Sequence, residues 1–232
     1  MKIGIIAALT EERLRLLEII TEREKGTAGP FEFATGNVGT NTLYVMECGI
    51  GKVNAAIGAA EMIRFLKPDA VISTGVAGGL DDSVGVMDVV AAKETAYHDV
   101  WCGGENALGQ VQGLPLRFSA HKRLLSATEE LHTNEKIHTG LICTGDKFIT
   151  AREELETIKR TFVDALAVDM ESAAIAHVCH LYNVPFLSFR IISDTPGADA
   201  HWQQYKNFWT ELADRSFGVI KTFLERLPET LD

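Results

Sequence analysis

Short apolar runs that alternate with longer helical patterns constrain the fold of this chain more than any other feature. The runs Lys2–Ala8, Ala70–Thr74 and Phe186–Ser193 contain few polar residues, which is typical of strands buried on both faces. The segments Glu11–Glu22 and Ser172–Tyr182 lie between such runs and predict helices. Because strands of this kind need helices on both sides, the pattern predicts an α/β protein, a three-layer α/β/α sandwich with a mixed central β-sheet.

Turn residues and periodicity predict the remaining elements. Gly39-Thr40-Asn41 separates two alternating runs and predicts a hairpin, Pro68 ends a helix, and Thr10 is the predicted N-cap of the first helix. The glycine-rich stretch His98–Leu116 predicts a loop. The further predicted strands are Phe31–Val38, Thr42–Glu47, Asp88–Tyr97, Thr139–Thr144 and Leu166–Asp169, and the further predicted helices are Val53–Leu66, Glu153–Thr161 and Tyr205–Leu227.

Length and charge limit the domain count and the partners. The chain has 232 residues, 46% of them hydrophobic, so we expect one core and a single domain over residues 1–232. The formal net charge is −10 and no lysine- and arginine-rich run is present, so we expect no nucleic-acid or anionic-membrane partner. A small nucleoside stays compatible, because a pocket can differ in charge from the mean surface.

The cysteines and the apolar segments predict a cytoplasmic location. The N-terminal apolar stretch is too short for a secretory signal, and no window is long and apolar enough to span a bilayer. The four cysteines are scattered and form neither a CxxC pair nor a zinc spacing, so we expect reduced thiols. His177 and His180 share a helix with Cys179, but no further ligand has a convincing spacing, so helix packing is favoured over a metal site.

The ends of the predicted strands are the places to search for a ligand site, since α/β sheets bind ligands there. Glu12 follows the first strand, where an acid also stabilises a helix start, as neighbouring Glu11 would. Gly49-Ile50-Gly51-Lys52 fits a dinucleotide-phosphate turn or a tight turn beside a small ligand. The next strand ends in Gly75 and not in a ribose-binding acid, which disfavours the dinucleotide.

Two later strand ends carry acids in apolar surroundings. Asp169 and Glu171 interrupt the junction of a strand and a small-residue helix, where a buried carboxylate needs a partner or a ligand. Asp169 could instead cap the helix and leave Glu171 in its first turn. Arg190 and Asp194 fall on one face of the last predicted strand, and Arg190 needs an acid or an anion, either Asp194 or another acid.

Several segments together resemble the 5′-methylthioadenosine/S-adenosylhomocysteine nucleosidases of the nucleoside phosphorylase/hydrolase family. The resemblance covers nearly the whole chain and rests on the number and order of its pieces. The matching segments are Met1–Ile6, Thr10–Glu12, Gly49–Val53, Thr74–Gly79, Tyr97–Asp99, Thr144–Ile149, Asp169–Cys179 and Arg190–Asp194. It implies a nucleoside-phosphorylase-like fold and an N-glycosyl hydrolase that needs no cofactor. Such an enzyme releases adenine from methylthioadenosine, adenosylhomocysteine and 5′-deoxyadenosine in methionine salvage and nucleoside catabolism.

The resemblance also implies roles for the matching residues. Glu12 would be the general base for water, Asp194 the acid at adenine N7, and Glu171 the partner of the ribose hydroxyls. The further implied site residues are Met170 against the sugar, Phe148 and the Ile149 backbone against adenine, Arg190 near the water and the ribose, and Val76, Ile50, Leu9 and Ser193 around the substrate. A homodimer is implied as well, with the 101–115 loop near the partner's pocket.

The chain departs from the family pattern at several positions. Val76 replaces a frequent serine whose hydroxyl helps to hold the attacking water, Leu9 replaces a methionine, and Asp169 replaces a glutamate. The loop over residues 101–115 also differs from its commonest version, and the resemblance implies that this loop shapes the 5′ pocket.

Four alternatives to the nucleosidase remain open. Phosphorolysis is disfavoured because the glycine-rich segment Ser73–Gly79 has no cation to clamp phosphate. A futalosine-type nucleoside hydrolase lies within the same family. A non-catalytic nucleoside-binding protein would fit the loss of the serine at Val76, although the three acids argue against it. A dinucleotide-dependent enzyme would bind NAD at the Gly49 turn.

Overall fold

Ten strands form one mixed sheet in the computed structural model, which describes residues 1–195 and 201–231, without the side chains of residues 22, 201 and 211–216. The strands are β1 (Lys2–Ala7), β2 (Thr21–Ala28), β3 (Phe31–Val38), β4 (Asn41–Glu47), β5 (Ala70–Gly79), β6 (Val89–Tyr97), β7 (Phe118–Ser119), β8 (Ile137–Thr144), β9 (Ala165–Asp169) and β10 (Phe186–Asp194). The helices are α1 (Thr10–Ile19), α2 (Lys52–Leu66), α3 (Lys122–Glu129), α4 (Arg152–Thr161), α5 (Ser172–Tyr182), α6 (His201–Asn207) and α7 (Ala213–Glu225), with a π-helical turn over Phe208–Leu212.

The sheet combines parallel and antiparallel pairs. β1 lies between β4 and β5 and runs parallel to both, while β3 and β2 extend the sheet beyond β4 as antiparallel strands. On the other side of β5 the pairs β5–β10, β10–β6, β6–β8, β8–β9 and β9–β5 close into a ring of five strands. The predicted mixed sheet is therefore confirmed, and its ring closure brings the ends of five strands close together.

Helices cover both faces of the sheet, because the side chains of β1 are apolar in both directions. Ile3 and Ile5 belong to the core cluster that also holds Leu16 of α1. Ile6, on the opposite face, belongs to a second cluster with Met62 of α2 and residues of α5. The sheet thus lies between two helical layers, and the predicted α/β/α architecture is confirmed.

The first helix is shorter than predicted. The helix expected over residues 11–22 ends at Ile19, and β2 follows, where it pairs antiparallel with β3. Tertiary pairing overrides the local helical preference of this charged segment. The predicted N-cap is also wrong, since Leu9 occupies that position and the Thr10 hydroxyl donates to Glu47 Oε1 at 2.9 Å.

Other boundaries differ where neighbouring strands decide the conformation. The glycine-rich residues 75–79 belong to β5, because they pair with β10 and β9. β7 and α3 were not predicted, and the single C-terminal helix expected over 205–227 is divided by the π-helical turn. The predicted hairpin around Gly39 and the loop over 98–116 are confirmed. Among the described residues, no helix has the length and apolarity that crossing a membrane requires.

We expect Leu187→Ala to lower the free energy of unfolding by about 2–5 kcal/mol, because this fully buried residue of β10 would leave a cavity. Leu14→Ala is the matched control, since Leu14 on α1 is 51% exposed, and its effect should stay below about 1 kcal/mol. Urea unfolding measures both values. Equal losses would contradict the placement of β10 in the core.

Candidate active site

One pocket lies where the ends of β1, β5, β9 and β10 meet the turns after β4 and β8. Every site residue predicted from the sequence lines it except Arg190, which lies behind its wall. The lining residues are Ala8, Leu9, Glu12, Ile50, Val76, Ala77, Gly78, Lys147, Phe148, Ile149, Val168, Asp169, Met170, Glu171, Ser193, Asp194 and Tyr205.

Glu12 is a buried carboxylate and not a solvated acid of the first helical turn. Its Oε2 accepts hydrogen bonds from the backbone N–H groups of Ala8 (2.9 Å) and Leu9 (3.0 Å), and its Oε1 accepts one from Val76 (2.9 Å). Burial raises the pKa of Glu12, while the charge of Arg190 and these three hydrogen bonds oppose the rise. Only neighbouring Glu11, which is exposed, fits the description of an ordinary helix-start acid.

Gly75 allows Glu12 and Arg190 to approach each other. It has φ +146°, and a Cβ built on it would overlap Glu12 Oε1 and lie 2.7 Å from Arg190 Nη1. No side chain can stand there without separating the two charges. The glycine at this strand end therefore serves the electrostatics of the site, in addition to the backbone conformation.

Arg190 is paired with Asp169 behind the pocket. Its Nε lies 2.9 Å from Asp169 Oδ2, and its Nη2 lies 3.6 Å from Glu171 Oε2. Nη2 also donates to Ser73 Oγ at 2.8 Å. The sequence predicted an acid or anion for this arginine, and the structure identifies Asp169. The guanidinium is 1% exposed, so it acts on the pocket through its charge.

Asp169 organises the start of α5 without occupying the N-cap. It accepts hydrogen bonds from the Thr144 hydroxyl (2.5 Å), from the Ser172 hydroxyl, and from the Ser172 backbone N–H (3.2 Å to Oδ2). Glu171 itself is the N-cap residue, so the alternative that placed it in the first helical turn is wrong. Asp169 differs from Glu171 in its capacity for a ligand, because its oxygens already accept these hydrogen bonds and pair with Arg190.

Glu171 retains capacity for a ligand. It is 5% exposed and lines the pocket, where its Oε1 accepts a hydrogen bond from the Gly51 backbone N–H at 3.0 Å. Burial raises its pKa to about 7; the charge of Arg190 opposes the rise, while that of Asp169 adds to it. A carboxyl group of this kind can accept hydrogen bonds from sugar hydroxyls.

Asp194 and Ser193 both line the pocket because β10 is irregular at its end. The pairing of β10 with β5 shifts register between Ile192 and Asp194, as in a β-bulge. Strict alternation would have turned one of two consecutive residues away. The Ser193 hydroxyl donates to Asp194 Oδ1 at 2.6 Å, and Asp194 is 2% exposed.

A cluster of three aromatic side chains lies at the side of the pocket formed by Phe148. The Phe148 ring is 38% exposed, stacks on Trp202 at 5.3 Å and meets Tyr205 edge-on at 5.5 Å. The sequence did not predict Tyr205 as a site residue. The signal lay in the aromatic spacing of Trp202, Tyr205 and Trp209 on the helix after Asp194, but this spacing also fits a core helix.

The turn before α2 is unsuited to phosphate. The backbone N–H of Gly51 donates to Glu171, and that of Lys52 donates to Asp146 Oδ1 at 2.7 Å. Two amides that would hold a dinucleotide phosphate thus donate to carboxylates, and the NAD interpretation loses its support.

The histidines on α5 pack against aromatic rings. His177 Nδ1 lies 3.1 Å from the Tyr97 hydroxyl, and its ring stacks on Phe118 at 5.2 Å. Within the part of the chain that the structure describes, no group of three His, Cys, Asp or Glu residues could hold a metal ion. Trp101 is 67% exposed and does not line the pocket.

Comparisons with known proteins agree with this arrangement. Residues 2–225 match the family model of the phosphorylase superfamily. The S-adenosylhomocysteine nucleosidase from Streptococcus pyogenes, solved with 5-methylthiotubericidin, is 35% identical with a TM-score of 0.91, over 98% of both chains. The methylthioadenosine/adenosylhomocysteine nucleosidase from Colwellia psychrerythraea, solved with adenine, is 34% identical with a TM-score of 0.90, over 98% of this chain and 96% of that one.

A futalosine hydrolase mutant from Helicobacter pylori is similar in structure but less similar in sequence. It is 26% identical with a TM-score of 0.90, over 98% of this chain and 100% of that chain. The family resemblance found in the sequence is therefore confirmed. The chain belongs to the phosphorylase superfamily and, within it, to the 5′-methylthioadenosine/S-adenosylhomocysteine nucleosidases.

Proposed function

We propose that this protein hydrolyses the N-glycosidic bond of 5′-methylthioadenosine and S-adenosylhomocysteine, and of 5′-deoxyadenosine as a third substrate. The products are adenine and the 5′-substituted ribose, which places the enzyme in methionine salvage and nucleoside catabolism. The observation that carries the proposal is the convergence of three buried acids, Glu12, Glu171 and Asp194, on one pocket from three separate strand ends. Nucleosidases with about one third sequence identity over nearly the whole chain support it.

Glu12 and Asp194 divide the chemistry between the two sides of the breaking bond. Cleavage builds positive charge on the sugar and negative charge on the leaving base. Asp194 donates a proton to adenine N7, while the Glu12 carboxylate activates water and stabilises the sugar cation. The three backbone N–H groups on Glu12 fix its orientation before the substrate binds.

The other pocket residues hold the two halves of the nucleoside. Glu171 accepts hydrogen bonds from the ribose hydroxyls and Met170 packs on the sugar. Phe148 stacks on adenine and the Ile149 backbone binds its edge. The remaining contacts come from Leu9, Ile50, Val76 and Ser193. Arg190 contributes the positive charge behind Glu12 and Glu171.

Water is the proposed nucleophile because the described lining residues include no unpaired cationic side chain that could bind phosphate. Lys147 is the one cationic side chain among the described lining residues, and its ammonium pairs with Glu154. Arg190 pairs with Asp169. Val76 offers the pocket an apolar side chain, so Glu12 and the charge of Arg190 orient the water without a hydroxyl at that position.

We also propose a cytoplasmic homodimer. Large apolar side chains of α2 and α5 are exposed along a common groove, with Val53 69% and Leu181 62% exposed. Exposed apolar surface of this kind is typical of interfaces between proteins and supports the proposed homodimer. Trp101 at 67% and Leu108 at 40% add exposed apolar surface within the loop 101–115, which we place near the partner's pocket.

The test of the function is a base-release assay on methylthioadenosine, adenosylhomocysteine, 5′-deoxyadenosine and futalosine, with and without phosphate. From methylthioadenosine and adenosylhomocysteine we expect free adenine and free 5′-thio-ribose, at rates that do not depend on phosphate. Chromatography of the sugar product decides the point. A ribose 1-phosphate product would identify a phosphorylase, and no base release from any of the four would leave a nucleoside-binding protein.

Futalosine is included because a futalosine hydrolase mutant shares the fold with a TM-score of 0.90. Its 26% identity, against 34% and 35% for the two nucleosidases, favours methylthioadenosine. A higher kcat/KM for futalosine than for methylthioadenosine would reverse the assignment within the family.

We expect Glu12→Gln to lower kcat by about 100- to 10,000-fold, because the amide cannot take a proton from water. Glu11→Gln is the matched control, since Glu11 is the exposed neighbour on the same helix. Its kcat should stay within about twofold of the wild type. Similar losses in both variants would contradict the assignment of the base.

The pH profile of the wild-type enzyme checks the same assignment. Glu12 must be ionised to act as a base, and its pKa lies above the ordinary value of 4.5 because of burial. Therefore kcat/KM should fall as the pH drops through that raised pKa, and the acid limb of Glu12→Gln should keep only the contribution of Glu171, whose pKa burial raises to about 7.

We expect Asp194→Asn to slow adenine release by about 100- to 10,000-fold, because adenine N7 would lose its proton donor. Asp82→Asn, at an exposed position, is the control for the same chemical change. The measurement is single-turnover release of adenine from methylthioadenosine. Unchanged release from Asp194→Asn would show that another group is the acid.

A further inference from the structure

A cluster of charged residues outside the pocket connects three strand-end segments. Lys52 begins α2 after β4, Asp99 follows β6, and Asp146 follows β8. Lys52 Nζ donates to both carboxylate oxygens of Asp99, at 2.7 and 2.8 Å. None of the three residues lines the pocket, and the proposed chemistry does not use them.

The three residues form a closed ring of hydrogen bonds in which two links use the backbone. The Lys52 N–H donates to Asp146 Oδ1 at 2.7 Å, and the Asp146 N–H donates to Asp99 Oδ2 at 2.8 Å. The Lys52 side chain closes the ring onto Asp99. Each residue therefore holds the main chain or the side chain of the next, so the ring fixes the relative position of two backbone segments.

Each of these two backbone segments carries one side of the pocket. Gly51, next to Lys52, donates its N–H to Glu171 at 3.0 Å, on the side proposed for ribose. Lys147, Phe148 and Ile149 follow Asp146 directly and line the side proposed for adenine. The segments are in close contact, since a Cβ on Gly51 would lie 3.1 Å from Asp146 Oδ1.

The surroundings favour the ionised forms of the Asp99 carboxylate and the Lys52 ammonium. Burial raises the pKa of Asp99, but the hydrogen bonds from Lys52 and from the Asp146 N–H outweigh it and hold the pKa below its ordinary value. Lys52 Nζ also lies 5.4 Å from the centre of the Tyr97 ring, in a cation–π position. The side chains of Lys52 and Asp99 are 20% and 30% exposed, so the ion pair by itself adds little to global stability.

We propose that Lys52, Asp99 and Asp146 are positioning residues that hold the ribose-side turn and the adenine-side loop at the separation a nucleoside requires. The ring acts on substrate binding and leaves the three acids in place. Its effect on kinetics rests on the proposed function, whereas its effect on the backbone does not.

The first test measures the backbone directly by amide hydrogen exchange and mass spectrometry. Lys52→Met removes the cation and keeps the length of the side chain. We expect exchange in the segment 144–149 to accelerate about tenfold, because the Lys52 ammonium holds Asp99, which accepts the Asp146 N–H, and also lies 3.8 Å from Asp146 Oδ2. Lys122→Met is the matched control, because Lys122 is exposed and also begins a helix, and it should leave this segment unchanged. Unchanged exchange of this segment in Lys52→Met would contradict the proposal that the ring holds it in position.

The second test separates positioning from chemistry. For Lys52→Met we expect KM for methylthioadenosine to rise about tenfold while kcat stays within about threefold, and Lys52→Arg should restore most of the affinity. The thermal midpoint should shift by less than about 3 °C, which a general structural defect would exceed. An unchanged KM, or a loss confined to kcat, would contradict the proposal. Absence of adenine release from the wild type would instead refute the proposed function, and hydrogen exchange would then decide the ring alone.

Discussion

The buried ion pair between Arg190 and Asp169 is the interaction on which the rest of the site depends. Burying either charge alone would cost several kcal/mol, and breaking such a pair leaves an uncompensated charge in the core. Nε of Arg190 lies 2.9 Å from Asp169 Oδ2, and donors from Thr144 and Ser172 complete the shell of that carboxylate. The arginine is thus fixed in the core while its positive charge still faces Glu171 and Glu12.

This fixed charge explains how two further carboxylates can be buried beside the pocket. Burial raises the pKa of both Glu12 and Glu171, and Arg190 opposes the rise at each. Backbone N–H groups add to the stabilisation, three for Glu12 and one for Glu171. The balance leaves acids whose ionisation is sensitive to a ligand, which suits proton transfer and the recognition of sugar hydroxyls. Gly75 is necessary for this balance because a side chain there would separate Glu12 from Arg190.

Local pattern predicted the elements whose periodicity is complete within their own sequence. Helix α5 begins and ends at the predicted residues, and β3 also matches the prediction. The predictions failed where a distant partner decides the conformation. Residues 21–28 form β2 because they make backbone hydrogen bonds with β3. The glycine-rich residues at the end of β5 are extended because they pair with β9 and β10. Neither partner can be read from a window of local sequence.

The sequence alone determined the class of the fold, the family and the positions of the proposed site residues, since apolar periodicity and motif order are properties of the chain itself. The tertiary structure decided what surrounds each acid. Glu12 has the sequence position of an ordinary helix-start acid, but the fold brings the backbone N–H of Val76, 64 positions along the chain, to 2.9 Å from its Oε1. The roles of Asp169 and Glu171 differ because of partners that are distant in sequence. Asp169 accepts a hydrogen bond from the Thr144 hydroxyl, and Glu171 accepts one from the Gly51 amide. Hydrogen bonds and buried charges act over a few ångströms in space, whatever the separation in sequence, so only the folded chain determines them.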